Sequence, residues 1–392
     1  MMAIDARNEL MRAASDRYRK AAKKEKGQIL DEVCANSGLT RKHAIRLLRS
    51  PPKPRKKGSR TRAKTYDELE LAALRRLWPL SGYLSARRLV AALTFLIEAC
   101  ERHGEWVPDE KVRNKLFSMS ASTCDRLLKP LRRTSPERGI SLTRKGEHLK
   151  AQIAVRIGTE WDDAVPGFVE ADLVAHCGPT AEGTFLNTLN LTDIATGWTE
   201  PVGLKGKGRI ETVNGVGMAE RRLPFKLKGI DTDNGSEFIN YHLQTFCLER
   251  EIRFTRSRPY VKNDGCHVEQ KNGAIVRRHV GYRRLETDED LRKLKDLYGV
   301  LRLLVNFFEP SAKLTRTKTE EGKTKKVYDT PKTPYQRVME SEVVDPESKT
   351  KLRDTYLALN PVALRRRLLI IKLELMEEDL KRPFLDDEPA DG

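Results

Sequence analysis

At 392 residues the chain is too long for one ordinary hydrophobic core and is expected to divide into about two to four domains. Lysine and arginine number 74 against 56 aspartate and glutamate, a net charge of +18 that exceeds what solubility needs and points to a polyanionic partner, nucleic acid first. No stretch approaches about 18 apolar residues, the amino terminus lacks an apolar secretory core, and the cysteines and histidines show no CxxC or HxxxH spacing; a membrane span and a zinc finger are excluded, and a cytoplasmic chain with reduced thiols is expected.

Residues 1–50 form the first predicted unit. Ile29, Leu30 and Val33, then Ala44, Ile45, Leu47 and Leu48, recur at helical spacing on either side of a break at Asn36, Ser37 and Gly38. Gly38 suits the left-handed end of one helix and Thr40 the cap of the next, which predicts a helix-turn-helix with Arg41, Lys42, His43 and Arg46 facing DNA. An ordinary helical hairpin is the alternative. Residues 51–65 combine three prolines with seven basic residues, including Arg55, Lys56, Lys57, Arg60 and Arg62, and read as an extended basic linker suited to a phosphate backbone or a minor groove.

A second helical region, residues 66–150, repeats the layout: Val112, Leu116 and Phe117, a polar SMSAS turn, then Cys124, Leu127 and Leu128, with Ser120 or Ser122 as cap. It is read as a second DNA-binding helix-turn-helix, with simple bundle packing as the alternative.

From Pro166 the texture turns strand-like. GFVEADLVAHC, GTFLNTLNLTD and GWTEPVGLKG predict three antiparallel strands, followed by a helix over 209–222, a strand PFKLKGIDTD, a helix over 236–250 capped by Ser236, a strand IRFT, a polar loop and a long helix from Cys266. This is an α/β domain over residues 160–310.

Its carboxylates carry the chemistry. Asp172 stands in the first strand where an apolar residue would ordinarily fill a central position, and Glu170 shares its face. Asp231 and Asp233 lie at a strand's carboxyl end, where α/β sheets present their sites; Asp193 reads as a turn residue. Glu269 follows the loop 257–265 and could face the aspartates. Such a cluster repels itself unless cations neutralise it, and all-oxygen ligands suit two Mg²⁺ or Mn²⁺ ions, which would serve an in-line phosphoryl displacement without a protein base.

Beyond this domain, residues 311–392 begin after a helix rich in Leu301, Leu304 and Phe308. They predict a basic hairpin, KLTRTKTEEGKTKKVYD, that turns at Glu321 and Gly322, then a charged helix over 361–380.

Taken together, VEADLV around Asp172, TDNGSEF around Asp233 and NDGCHVEQKNG around Glu269 resemble the acidic triad of retroviral-type integrases and bacterial insertion-sequence transposases. The 35 residues between Asp233 and Glu269 match the D,D(35)E interval of that superfamily, and the TDNG match selects Asp233 over Asp231. The resemblance covers residues 160–310. It implies an RNase H-like core with a mixed five-stranded sheet and flanking helices, and it implies DNA strand transfer by Asp172, Asp233 and Glu269 on divalent metal. It also implies a homo-oligomer on terminal-repeat and target DNA, and leaves open an ATPase helper. Asn272 matches an asparagine that follows the family's glutamate, and Lys271 is a candidate phosphate or base contact. The retroviral zinc-binding His/Cys set is absent, so the tandem helical modules point to the bacterial branch. An RNase H-like nuclease that only hydrolyses, and a catalytically silent DNA-binding regulator, are the competing readings.

Overall fold

The structure, a computed structural model, describes residues 4–52, 65–132, 154–155, 165–233, 235–257, 266–320 and 323–381. The linker residues Arg55, Lys56, Lys57, Arg60 and Arg62, and the loop 258–265, lie outside the described residues. The chain separates into two compact units, residues 1–65 and 66–392.

The first unit holds α1 (Ile4–Lys20), α2 (Lys23–Ser37) and α3 (Arg41–Arg49). Met11, Ala14 and Tyr18 of α1 close a small core with Ile29, Leu30 and Val33 of α2 and with Ala44 and Leu48 of α3. Gly38 ends α2 at φ 68°, a left-handed conformation that glycine adopts without the Cβ penalty. Thr40 precedes α3 in extended backbone, but its hydroxyl makes no capping bond.

The second unit opens with α4 (Glu68–Leu80), α5 (Ala86–Arg102), α6 (Glu110–Phe117) and α7 (Ala121–Leu128). Asp67 and Glu70 form a capping box at the start of α4, and Ser120 accepts from Thr123 N at the start of α7. Val112, Leu116, Cys124 and Leu128, whose spacing suggested a second helix-turn-helix, are buried in one core with α5 and with two later helices described below.

The strands are β1 (Ala154–Val155), β2 (Phe168–Ala175), β3 (Asn187–Asp193) and β4 (Thr199–Leu204); after α8 (Arg209–Glu220) come β5 (Gly229–Thr232), α9 (Tyr241–Glu249) and β6 (Arg253–Arg256). They form one mixed sheet in the order β1-β6-β5-β2-β3-β4, antiparallel through β2, β3 and β4 and parallel through β2, β5, β6 and β1. The sheet therefore has one strand more than the five expected, because two-residue β1 is too short to leave a periodic signal. One face is apolar: Val169, Ala171, Leu189, Leu191 and Ile230 pack with Val216 of α8 and Leu243 of α9. Each buried valine, leucine or isoleucine among them contributes about 1.5–3 kcal/mol by leaving water. The opposite face carries Glu170, Asp172, Asn190 and Asp231.

Two expected helices are redrawn. Residues 235–240 form a turn that buries Phe238, so α9 starts at Tyr241 and its cap is Asn240, whose side chain accepts from Leu243 N, rather than Ser236. The long helix from Cys266 is broken into α10 (Cys266–Lys271), a π-helical turn (Asn272–Arg277) and α11 (Arg278–Val280), and it stops at Gly281.

After α12 (Asp288–Phe308) come β7 (Leu314–Glu320) and β8 (Lys323–Tyr328), which form the basic hairpin, then α13 (Pro334–Glu340), α14 (Pro346–Ala358) and α15 (Pro361–Lys381). The 3.6-residue periodicity of α12 lets Leu294 pack on β4 while α15 covers another side, with Leu368, Ile371 and Leu375 in the same core as α4, α5 and α7. Among the described residues no helix is long and apolar enough to cross a membrane.

Candidate active site

Strand register builds the site. Glu170 pairs with Asp231 and Ala171 with Thr232 across β2 and β5, so Asp233, one residue past β5, comes to the level of Asp172. On the other side Asp172 pairs with Asn190 of β3. Alternation along each strand puts these polar groups on one face. The helix α10, lying against β2 and β3, brings Glu269 over that face.

Hydrogen bonds hold this arrangement. Leu173 N donates to Asp172 Oδ1 at 2.8 Å and Asn272 Nδ2 donates to Asp172 Oδ2 at 2.6 Å. The Asn272 Oδ1 accepts from Asn190 Nδ2 at 2.9 Å, so one amide bridges β3 to the β2 carboxylate. Glu170, buried beside Asp172, accepts from Val268 N at 3.0 Å and so ties the first turn of α10 to the sheet. Asp231 accepts from Thr255 Oγ1 at 2.6 Å and from Ser257 Oγ at 3.2 Å. Asp233 Oδ1 accepts from Gly235 N at 2.9 Å, closing the turn after β5. Asp193 organises the turn after β3, accepting from Gly167 N and from both Thr196 N and Oγ1.

Electrostatics single out Asp172. Burial, followed by the negative charges of Asp233 and Glu269, pushes its carboxyl up to about 7, against the pull of its bonds from Leu173 and Asn272. The three acids therefore lie within electrostatic reach of one another. A further acid, Glu237, is buried nearby and raised by burial and by Asp233. Glu269 itself is exposed at the surface of α10, and among the described residues no three His, Cys, Asp or Glu side chains are grouped to hold a metal ion as they stand.

A separate cleft is lined by Ser85, Arg87, Arg88, Gln270, Lys271 and Tyr328. Arg87 donates to Asp329 O at 2.8 Å and Arg88 Nε to Pro310 O at 2.5 Å, and the buried Glu309 carboxylate acts on the Arg88 charge. Lys271 makes no hydrogen bond or ion pair among the described residues, and burial, then Arg88, pushes its ammonium down to about 8. On α3, Arg41, Lys42, His43 and Arg46 are all exposed; Arg41 pairs with Asp31, and Arg46 Nη2 lies 3.0 Å from His43 Nε2.

Sequence reasoning missed Asn190, Glu237 and the capping role of Glu170. Glu170 alone left a signal, its shared face with Asp172; the placement of the other two depends on register and on a turn.

An α/β sheet that turns one face of acids toward a short helix bearing another acid defines a class of carboxylate-lined site. No protein-family profile matches the chain. The uncharacterized protein y4rM of Sinorhizobium fredii (strain NBRC 101917 / NGR234) is 42% identical over 323 residues, covering 82% of this chain and 91% of that protein. The chain belongs to the y4rM family. Among solved structures it is similar to a chain of the simian T-cell lymphotropic virus intasome in complex with PP2A regulatory subunit B56 gamma, with TM-score 0.33 and 18% identity over 59% of this chain and 71% of that one. It is also similar to the catalytic core domain of BIV integrase, with TM-score 0.30 and 13% identity over 43% of this chain and 91% of that one.

Proposed function

We propose that the chain is a DDE-type DNA transposase or integrase, a polynucleotidyl transferase with an RNase H-like core that cleaves and joins DNA through Asp172, Asp233 and Glu269. What supports this is the convergence of these three acids, from β2, the end of β5 and α10, around a carboxyl raised to about 7 by burial and by its two acidic neighbours. The D,D(35)E spacing adds to it.

The donor set fits a hard divalent cation: it is all oxygen, and Asp172 sits among negative charges that a cation would offset. Asp172 and Asp233, with Glu269, are the residues that would hold Mg²⁺ or Mn²⁺. Two bound ions would supply Lewis-acid activation of a water or 3′-hydroxyl and stabilisation of the leaving oxygen. The protein's own part is positional. Asn272 fixes the Asp172 carboxylate, Glu170 fixes the helix that carries Glu269, and Lys271 with Arg87 and Arg88 offers phosphates a basic surface of their own. Arg41, Lys42, His43 and Arg46 of a helix-turn-helix, with the basic linker, would engage the terminal repeats.

The test is Mn²⁺-dependent joining of a labelled terminal-repeat oligonucleotide to plasmid by wild type, Asp233→Asn and Glu269→Gln. Joining by wild type alone, with binding kept in both variants, is the expected result. Cutting without joining would favour the hydrolytic nuclease; binding with neither would favour the regulator; full activity of Asp233→Asn would remove the mechanism.

A further inference from the structure

A further cleft, of about 360 Å³, opens where the end of α4 meets α11 and the first half of α15, and its volume is in the range of small-ligand sites. Its walls are in part apolar, with Leu80, Tyr83, Leu368 and Leu369, and in part cationic, with Arg278, Arg365, Arg366 and Lys372. Two of these cations are neutralised: Arg365 bonds the Glu309 carboxylate at 2.6 Å, and Arg366 lies 3.2 Å from Glu105. The other two are not. Among the described residues Arg278 donates only to the carbonyl oxygen of Gly82, at 2.5 Å, and Lys372 makes no hydrogen bond or ion pair.

Two residues of this cleft are held at a cost to the fold. Tyr83 has φ 58°, in the left-handed region that a bulky side chain seldom enters, and at 57% exposure it gains little burial in return. Trp78 braces its ring edge to face, with centroids 5.1 Å apart and planes at 84°. Lys372 is half-buried, and its ammonium is pushed down first by burial and then by Arg278, Arg283 and Arg365. A neutral side chain at 372 would escape both penalties. Burial, then Lys372, Arg365 and Arg278 against the pull of Glu309, also push the imidazole of His279 in the same wall down to about 3, so it adds no charge. Strain and uncompensated charge collect where a ligand supplies the compensation.

The chemistry of the walls defines the occupant. Two neighbouring cations without carboxylate partners suit a phosphate, whose oxygens accept from both, and a half-exposed tyrosine ring flanked by leucines suits a flat base, which stacks on an aromatic side chain whatever its identity. We propose that this cleft holds one unpaired nucleotide, its base on the Tyr83 ring and its phosphate between Arg278 and Lys372. Such a nucleotide is either free or the end of a DNA strand. The argument is independent of the catalytic reading.

The test titrates the full chain against 2-aminopurine, a fluorescent base that dims on stacking, as the free deoxynucleoside 5′-monophosphate, as the free deoxynucleoside, and as the unpaired last nucleotide of a duplex strand. Wild type should quench the monophosphate or the strand end, and bind the deoxynucleoside about tenfold more weakly than the monophosphate. Quenching of the monophosphate assigns a free nucleotide; quenching of the strand end alone assigns DNA. Tyr83→Gly, which keeps the left-handed backbone, and Lys372→Gln should each weaken this binding by about tenfold with the thermal midpoint unchanged or raised. Quenching of neither form, a deoxynucleoside that binds as tightly as the monophosphate, binding that either variant leaves intact, or a fall in both midpoints would each overturn the proposal. No strand cleavage enters the readout, so a failure here is distinct from a failure of joining.

Discussion

The amide of Asn272 reaches two partners at once, Asp172 on β2 and Asn190 on β3, and so orients a carboxylate that, among the described residues, no side chain of opposite charge touches. Groups that orient a metal-binding carboxylate typically contribute 10–100-fold to metal affinity or activity. If Asp172 holds the ion as proposed, Asn272→Ala should raise the Mn²⁺ concentration for half-maximal cleavage by about 10–100-fold with DNA binding unchanged; an unshifted Mn²⁺ titration would remove this role. Away from the acids, His176 is fully buried, with Nε2 2.7 Å from Thr188 Oγ1, which lies 2.5 Å from the Tyr298 hydroxyl. Burial, with Arg277 and Arg283 nearby, lowers its imidazole from 6.5 to about 3. Because the unfolded chain takes up this proton first, the stability that neutral His176 contributes is present above pH 6.5 and is lost as pH falls from 6.5 towards 3. The urea midpoint should fall across that window, and His176→Gln should flatten the fall; an unchanged slope in the variant would show that His176 is not its source.

Elements are joined here by their ends. The π-helical turn at Asn272–Arg277 begins at the residue that bonds Asp172, the kind of local widening that recurs at functional sites. The run then ends at Gly281, whose φ of 76° and ψ of −151° belong to a region open essentially to glycine alone. A Cβ there would meet nothing within 4 Å, so any penalty for a side chain is conformational rather than steric. Gly281→Ala should lower stability by about 1–3 kcal/mol in urea unfolding, and a neutral result would mean the backbone relaxes freely. The next helix, α12, starts with a capping box of Thr287 and Asp290 and then fills the core from Leu294 to Phe308, which is why the acidic face and the C-terminal helices hold one geometry.

At the scale of the molecule the charge is what stands out: a net +18, with the basic sequence of residues 51–65 at the end of the first unit in the chain. If that basic run follows DNA, neutralising Lys56, Lys57 and Arg60 should weaken binding across sequences and reduce the slope of log affinity against log salt by about 0.9 for each phosphate no longer neutralised. An equal slope in the neutralised chain would remove this contact. The cationic cleft of Arg87, Arg88 and Lys271 draws on α5 and α10, elements more than 160 residues apart that share one unit of residues 66–392.

How much of this could be read in advance follows from the range of the forces involved. Helices and strands with strong periodicity, the left-handed glycine at Gly38, the cap at Ser120 and the acids at Asp172, Asp233 and Glu269 are local signals, set by side-chain sequence within a turn or a strand. The pairing of Asp172 with Asn190, the tie from Glu170 to Val268, the bridge through Asn272 and the cap at Asn240 in place of Ser236 arise from register and packing between distant segments. Those depend on which strands lie side by side and on which surfaces leave water together, and no local pattern of residues carries that information.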